Sequence, residues 1–236
     1  ENTKHLWRND GNAKFTDVSI ATGVAQALTG GLAVTDMTVT PNFVDVDSDG
    51  DLDILVTGDM ENSHVLINDN GSFSSSSSSG VANDHATGAA IGDYDNDGDM
   101  DWFVSGISYP GLDGNGLFRN DGTGSFTNVT QVSGVGAGGW GWGSSFGDLN
   151  NDGFLDLVQV NGYGTSPVSS FNEFFEDPVR LFMNRKDGTF EQRAEQYQLI
   201  DNQLGRGVAL FDFDRDGDLD IFIQNILGTA SLWKNE

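Results

Sequence analysis

Apolar residues along this chain come in short bursts bounded by carboxylates and glycines, and the bursts repeat. Four runs each start at an Asp: Asp53-Ile-Leu-Val-Thr57, Asp101-Trp-Phe-Val-Ser105, Asp156-Leu-Val-Gln-Val160 and Asp220-Ile-Phe-Ile-Gln224. Their β-branched and aromatic content predicts strands. Ahead of the last three lie segments of mostly small residues, Gly88-Ala-Ala-Ile-Gly92, Gly143-Ser-Ser-Phe-Gly147 and Gly207-Val-Ala-Leu-Phe211, which predict a further strand suited to a crowded inner position. After the runs comes a second landmark, Leu-aromatic-x-Asn followed by Gly-x-Phe. It reads Leu117-Phe118-Arg119-Asn120 with Gly124-Ser125-Phe126, and Leu181-Phe182-Met183-Asn184 with Gly188-Thr189-Phe190. Variants occur at Leu6–Phe15, Leu66–Phe73 and Leu232–Asn235. Asn and Gly between alternating runs signal a hairpin turn.

What joins the first two predicted strands is the strongest signal in the chain. Nine-residue loops place oxygen-bearing side chains at positions 1, 3, 5, 7 and 9, with one exception at position 7, and Gly at position 6. They are Asp45, Asp47, Asp49, Asp51 and Asp53; Asp93, Asp95, Asp97, Asp99 and Asp101; Asp148, Asn150, Asp152, Phe154 and Asp156; and Asp212, Asp214, Asp216, Asp218 and Asp220. Carboxylates so close repel one another, and a hard divalent cation with many oxygen ligands, Ca²⁺ above all, resolves the repulsion. The first nine positions resemble an EF-hand loop, but the twelfth residue of the last copy is Ile223 rather than Glu, and a strand follows instead of a helix. Phe154 offers no side-chain ligand, so position 7 is expected to act through its carbonyl, with side chains at 1, 3, 5 and 9 and water completing the shell. About four Ca²⁺ sites are expected.

The loops recur at spacings of 48, 55 and 64 residues, which argues for a repeat architecture. Four-stranded antiparallel units of this size predict an all-β propeller, or a segment of one, with a Ca²⁺ loop between strands one and two of each blade. The expected organisation is a single repeat domain over 1–236. Its units are 1–36 (an N-terminal hairpin), 37–84, 85–139, 140–203 and 204–236. The ends do not balance: either the N-terminal hairpin supplies the outer strand of the last blade, or the chain is a slice of a larger ring.

Charge narrows the partners. The chain carries 36 acidic and 11 basic residues, a net charge of −25, and eighteen of the acids lie in the four loops. Metal binding would still leave it far too negative to favour nucleic acid or an anionic membrane surface. There is no cysteine, which excludes disulfides and thiol catalysis. No apolar run approaches the length of a membrane-spanning helix, so membrane insertion is not expected. Calcium loops of this kind suit an extracellular, cell-surface or periplasmic environment, and a removed export signal is expected.

Three stretches interrupt the repeat: the serine run 74–79, read as a linker; the Gly-rich loop 134–143 with Trp140 and Trp142; and the insertion 161–179 with Tyr163, Phe171, Phe174 and Phe175. Long loops on a rigid scaffold are where binding usually resides. Trp140, Trp142, Tyr163, Phe171 and Phe174 are therefore the candidate ligand-binding residues. Two catalytic look-alikes fail on context. Gly136–Gly141 has dinucleotide-fingerprint spacing and Gly143–Gly147 nucleophile-elbow spacing, yet each leads into a strand and not a helix. Glu173, Glu176 and Asp177 sit on the insertion and are the acids on which paired-carboxylate glycoside chemistry would rest, although surface acids on so acidic a chain are usually just solvated. Asn70-Gly-Ser72 and Asn128-Val-Thr130 fit the glycosylation acceptor pattern.

The Asp loops with their Leu-aromatic-x-Asn hairpins resemble FG-GAP/VCBS repeats. Gly141-Trp142-Gly143, Asn161-Gly162-Tyr163 and Gly205-Arg206-Gly207-Val208-Ala209 are similar to the cartilage acidic protein and ASPIC/UnbV-associated group. The resemblance implies a calcium-binding β-propeller acting as an extracellular interaction, adhesion or scaffolding module without catalysis. Its partner would be an extracellular protein or a glycan, and assembly with itself or with missing blades is a further expectation. A lectin-like module and a part of a polysaccharide-active enzyme are the alternatives.

Overall fold

The structure, a computed structural model, describes residues 4–28, 38–60, 63–76, 79–83, 85–164 and 172–236. Among these residues, seventeen strands form five antiparallel sheets. The first is a two-stranded hairpin, β1 (Trp7–Gly11) with β2 (Lys14–Asp17). Three four-stranded meanders follow. They are β3 (Thr38–Val44) to β6 (Ser72–Ser75) through β4 (Asp53–Gly58) and β5 (His64–Asp69); β7 (Ala86–Gly92) to β10 (Phe126–Asn128) through β8 (Asp101–Gly106) and β9 (Gly116–Asn120); and β11 (Gly141–Gly147) to β14 (Phe190–Gln192) through β12 (Asp156–Asn161) and β13 (Arg180–Asn184). The last sheet has three strands, β15 (Leu204–Phe211), β16 (Asp220–Ile226) and β17 (Ser231–Trp233). This is the all-β arrangement of propeller blades, in sheets that among the described residues do not close on one another.

The apolar core lies between blades rather than within any one of them. One cluster joins Val44, Val46, Leu55 and Val65 of the first blade to Trp102, Val104, Phe118 and Phe126 of the second. The next joins Ala90, Tyr94, Phe103 and Leu117 to Leu157, Phe182 and Phe190 of the third. A third joins Leu149, Val158, Leu181 and Met183 to Ile221 and Ile223 of the last. Every residue of β4, β8 and β12 is buried, as a strand covered on both faces requires.

Small residues in the inner strands allow close backbone approach. A Cβ on Gly88 of β7 would lie 2.0 Å from the Trp142 carbonyl oxygen of β11. One on Gly143 would lie 2.7 Å from the Arg206 carbonyl oxygen of β15. The observed inner strands begin at Ala86, Gly141 and Leu204, two or three residues ahead of the predicted segments, each with a bulge near its start.

One of the two readings of the chain's ends, the hairpin completing the last blade, is not seen among the described residues, and the serine run departs from its reading as a linker. Of the N-terminal hairpin and the last blade, neither pairs with the other among the described residues. Leu6, at the hairpin's edge, packs instead with Val24, Leu28, Ile54 and Phe73 against the first blade. The serine run is not all linker: Ser74 and Ser75 finish β6, and buried Ser79 offers its carbonyl to the Phe126 N–H at 2.7 Å. Two short helices turn the chain toward the next blade, α1 (Val24–Ala27) after the N-terminal hairpin and α2 (Thr130–Ser133) after the fourth strand of the second blade. No helix among the described residues is long and apolar enough to cross a membrane.

Candidate functional site

An antiparallel meander alternates its ends, so the loops after first strands and the turns between third and fourth strands share one end of every blade. The insertions between second and third strands, and the links to the next blade, share the other. The chain therefore has a metal-loop end and a connection end.

At the metal-loop end the four loops repeat one hydrogen-bond scheme. The Gly at position 6 donates its N–H to the carboxylate at position 1, as Gly50 to Asp45 (3.0 Å), Gly98 to Asp93 (3.0 Å), Gly153 to Asp148 (2.8 Å) and Gly217 to Asp212 (3.1 Å). Position 5 accepts the N–H of position 7, as Asp49 from Asp51 and Asp152 from Phe154. Position 4 lies in the left-handed region in every copy, with φ of 61° at Ser48, 60° at Asn96, 55° at Asn151 and 66° at Arg215.

Position 9 is the anchor. Asp53, Asp101, Asp156 and Asp220 are at most 1% exposed. One oxygen of each accepts the N–H of loop position 2: Val46, Tyr94, Leu149 or Phe213. The other accepts the N–H of the hairpin motif Asn: Asn68 at 2.7 Å, Asn120 at 2.9 Å, Asn184 at 2.8 Å and Asn235 at 2.9 Å. The Asn side chain then reaches back to the blade before its own. Asn120 Nδ2 donates to the Val46 carbonyl, Asn184 Nδ2 to that of Tyr94 and Asn235 Nδ2 to that of Leu149. Those three carbonyls belong to position 2 of the preceding loop. The landmark read as a turn signal thus joins its own loop to its neighbour's, and only the identical placement of Asn in each copy hinted at it.

The donor set fits a cation. In three loops the carboxylates at positions 1, 3 and 9 bring ligand atoms within 4.8 Å of one another: Asp45, Asp47 and Asp53; Asp93, Asp95 and Asp101; and Asp212, Asp214 and Asp220. Buried oxygens of Asp45, Asp47 and Asp95 have no hydrogen-bond donor, as atoms awaiting a metal would. Burial, reinforced by neighbouring carboxylates, pushes the Asp47 and Asp95 carboxyls above their usual range. Burial also pushes Asp101 up to about 7 and Asp156 up to about 6, against the pull of the N–H groups each accepts. A cation would reverse that tendency. In the third loop Asn150 replaces a carboxylate, and the Lys186 ammonium sits 3.3 Å from Asp152. In the last loop Lys234 lies 3.0 Å from Asp214 and 3.4 Å from Asp216, an internal cation on positions 3 and 5.

At the connection end, four aromatic rings from three connections converge. Trp140, in the link to the third blade, stacks on Tyr163 at 3.8 Å between centroids and 11° between planes. Phe174 meets Trp140 edge-on at 5.4 Å, and Tyr109, from the β8–β9 connection, lies 6.3 Å from Phe174. Sequence reading missed Tyr109 because it lies in a different blade. Beneath the rings, buried Asp177 accepts the Trp140 N–H at 2.7 Å and pairs with Arg180 at 2.7 Å. Asn161 donates to the Gly138 and Pro178 carbonyls, and Gln159 to Asn161. This buried network fastens the insertion to the Gly-rich loop. Trp142 lies apart from the cluster: half-buried, it donates Nε1–H to the Gly162 carbonyl at 2.8 Å and packs one face under the Arg206 guanidinium at 4.0 Å. Phe171 lies outside the described residues. Glu173 and Glu176 are exposed. Ser145, in the elbow-like segment, is a half-buried strand residue of β11.

Against known proteins, the chain matches the FG-GAP-like repeat over residues 45–104, 107–158 and 168–223. Over 79 residues it is 43% identical to cartilage acidic protein 1 of Homo sapiens and 40% identical to that of Mus musculus. Those alignments cover 30% of this chain and 12% of each relative. A lectin of Agrocybe aegerita, solved in a study of its specific recognition of non-reducing terminal N-acetylglucosamine, superposes with a TM-score of 0.50 at 19% identity. The superposition covers 98% of this chain and 60% of that one, and it bears on fold alone.

Proposed function

The chain belongs to the family of FG-GAP-like repeats, and from that premise we propose that it is an extracellular, calcium-stabilised propeller module. It binds a protein partner through its connection end. Calcium is the ion that suits these loops, because clustered carboxylates with carbonyl and water ligands match its high oxygen coordination. Asp45, Asp47 and Asp53 and their counterparts would hold it, and the bound charge would offset carboxylate repulsion where first and second strands meet. All of this leaves the aromatic end free for recognition.

The observation that carries the reading is the Tyr109, Trp140, Tyr163 and Phe174 cluster, assembled from three connections and fixed from below by Asp177. Aromatic residues held rigidly on loops are the usual anchors of an interface. A glycan is the second reading, favoured by the half-exposed Tyr163 ring. Catalysis has weaker support, since Glu173 and Glu176 face solvent and Asp177 is engaged by Arg180.

A glycan array and a panel of extracellular matrix proteins, probed with the chain and with Tyr163→Ala, test the proposal. Matrix-protein binding that falls at least tenfold in the variant supports the primary reading. Sugar binding lost in the same variant would move the assignment to a lectin. Binding that Tyr163→Ala leaves untouched would remove the connection end from consideration. Polysaccharide turnover abolished by Glu173→Gln would replace the module with an enzyme.

A further inference from the structure

The three connections that meet in the aromatic cluster carry charge of one sign only. Residues 107–115, 129–140 and 162–179 hold four carboxylates, Asp113, Glu173, Glu176 and Asp177, and no lysine, arginine or histidine. Asp177 is buried and answered by Arg180, the first residue of β13, at 2.7 Å. Glu173 and Glu176 stand on either side of Phe174 in the chain. Both are exposed, with no cation beside them among the described residues.

The rings beside them are held in place by the backbone. Trp140 and Tyr163 stack at 3.8 Å, the Gly162 N–H donates to the Trp140 carbonyl at 3.1 Å, and the Tyr163 N–H donates to the Phe174 carbonyl at 2.8 Å. Tyr109, from the neighbouring blade, is 37% exposed. The face of a fixed indole or phenol ring is electron-rich and attracts a cation placed over it. A partner carboxylate would instead be repelled by Glu173 and Glu176, and by a chain whose net charge is −25. Eighteen of the 36 acidic residues lie in the metal loops at the other end, where bound ions would offset them, whereas Glu173 and Glu176 lie outside those loops.

We propose that the protein partner of the connection end is a basic segment, an inference that rests on the reading of that end as the interface. An arginine or lysine side chain of the partner stacks on Tyr163 or Tyr109, and Glu173 and Glu176 pair with the positive charge. Arginine suits the place better than lysine, because its planar guanidinium covers a ring and still offers N–H donors at its edge to a carboxylate. The rings supply the contact area and the glutamates the choice of partner. Complementary charge also speeds the encounter and turns away acidic competitors.

A fluorescent peptide of alternating arginine and glycine tests the assignment by anisotropy, in saturating Ca²⁺ to fill the loops and at about 0.15 M salt to screen diffuse attraction. It should bind saturably, and counterparts with glutamine or glutamate in place of arginine should not. Glu173→Gln combined with Glu176→Gln should weaken binding at least about threefold, and so should Tyr163→Ala. Asp69→Asn combined with Glu195→Gln removes the same charge from exposed positions outside the three connections and should leave binding unchanged. Equal weakening by the two pairs of substitutions would reduce the effect to net charge and overturn the site. So would a peptide that fails to bind, or one that binds as well with glutamine or glutamate in place of arginine. Matrix-protein binding that still falls in Tyr163→Ala, from a chain that ignores the arginine peptide, would keep the connection end as the interface and overturn only its preference for a basic partner.

Discussion

Arg215 occupies a backbone conformation that its counterparts reach more easily. Position 4 of each loop needs a left-handed residue, which Asn tolerates because its short polar side chain bonds locally, and which a long side chain resists. Asn96 and Asn151 also donate from Nδ2 to the next loop, to the Gly153 carbonyl and to Asp218. Arg215→Asn should therefore stabilise the protein by about 0.5–1 kcal/mol, read as a higher urea midpoint. A lower midpoint would show that the guanidinium has a role the φ of 66° does not reveal. The buried carboxylates at position 9 carry a second residue-scale consequence. Their ordinary range is near 4, and burial raises Asp101 to about 7 and Asp156 to about 6. Between those limits the metal-free folded state binds more protons than the unfolded chain, so its stability falls as pH rises through that window. In chelator the urea midpoint should be lower at about pH 8 than at about pH 5. In saturating Ca²⁺ the trend should reverse, because ligation needs ionised carboxylates. A metal-free midpoint that climbs with pH would contradict the assignment.

At the scale of the strand, the glycines of β7 and β11 set how closely inner strands approach. Gly88→Ala forces a methyl group against the Trp142 carbonyl and should cost about 2–4 kcal/mol in chemical unfolding. Gly207→Ala, at the matching position of β15, meets only Gln224 Cβ at 3.7 Å and should change stability by less than about 0.5 kcal/mol. Equal costs at the two sites would mean that strand propensity, and not the neighbouring blade, governs both. The same contrast explains what the sequence could reveal. The runs after Asp53, Asp101, Asp156 and Asp220 and the hairpins at Asn120 and Asn184 were legible because apolar period and turn chemistry are local. The reach of Asn184 to Tyr94, across 90 residues, has no local signature. Nor does the meeting of Tyr109 with Phe174, which depends on two blades lying side by side. α1 and α2 were missed because four-residue helices are too short to show a period.

Across the whole molecule the loops sit where consecutive blades meet, so metal occupancy should be felt as global stability. A ligand present at one hundred times its dissociation constant contributes about 2.7 kcal/mol per site. Stripping Ca²⁺ with excess EDTA should therefore lower the unfolding midpoint by at least about 5 °C for one such site, and by more if several are filled. An unchanged scan would leave the carboxylate clusters without a metal role. The backward reach of Asn120, Asn184 and Asn235, matched by Phe126 and Phe190, has an implication for how the chain comes into being. Each blade brings the residues that finish the one before it. A polypeptide emerging from the ribosome thus seals its interfaces in order, one blade behind synthesis.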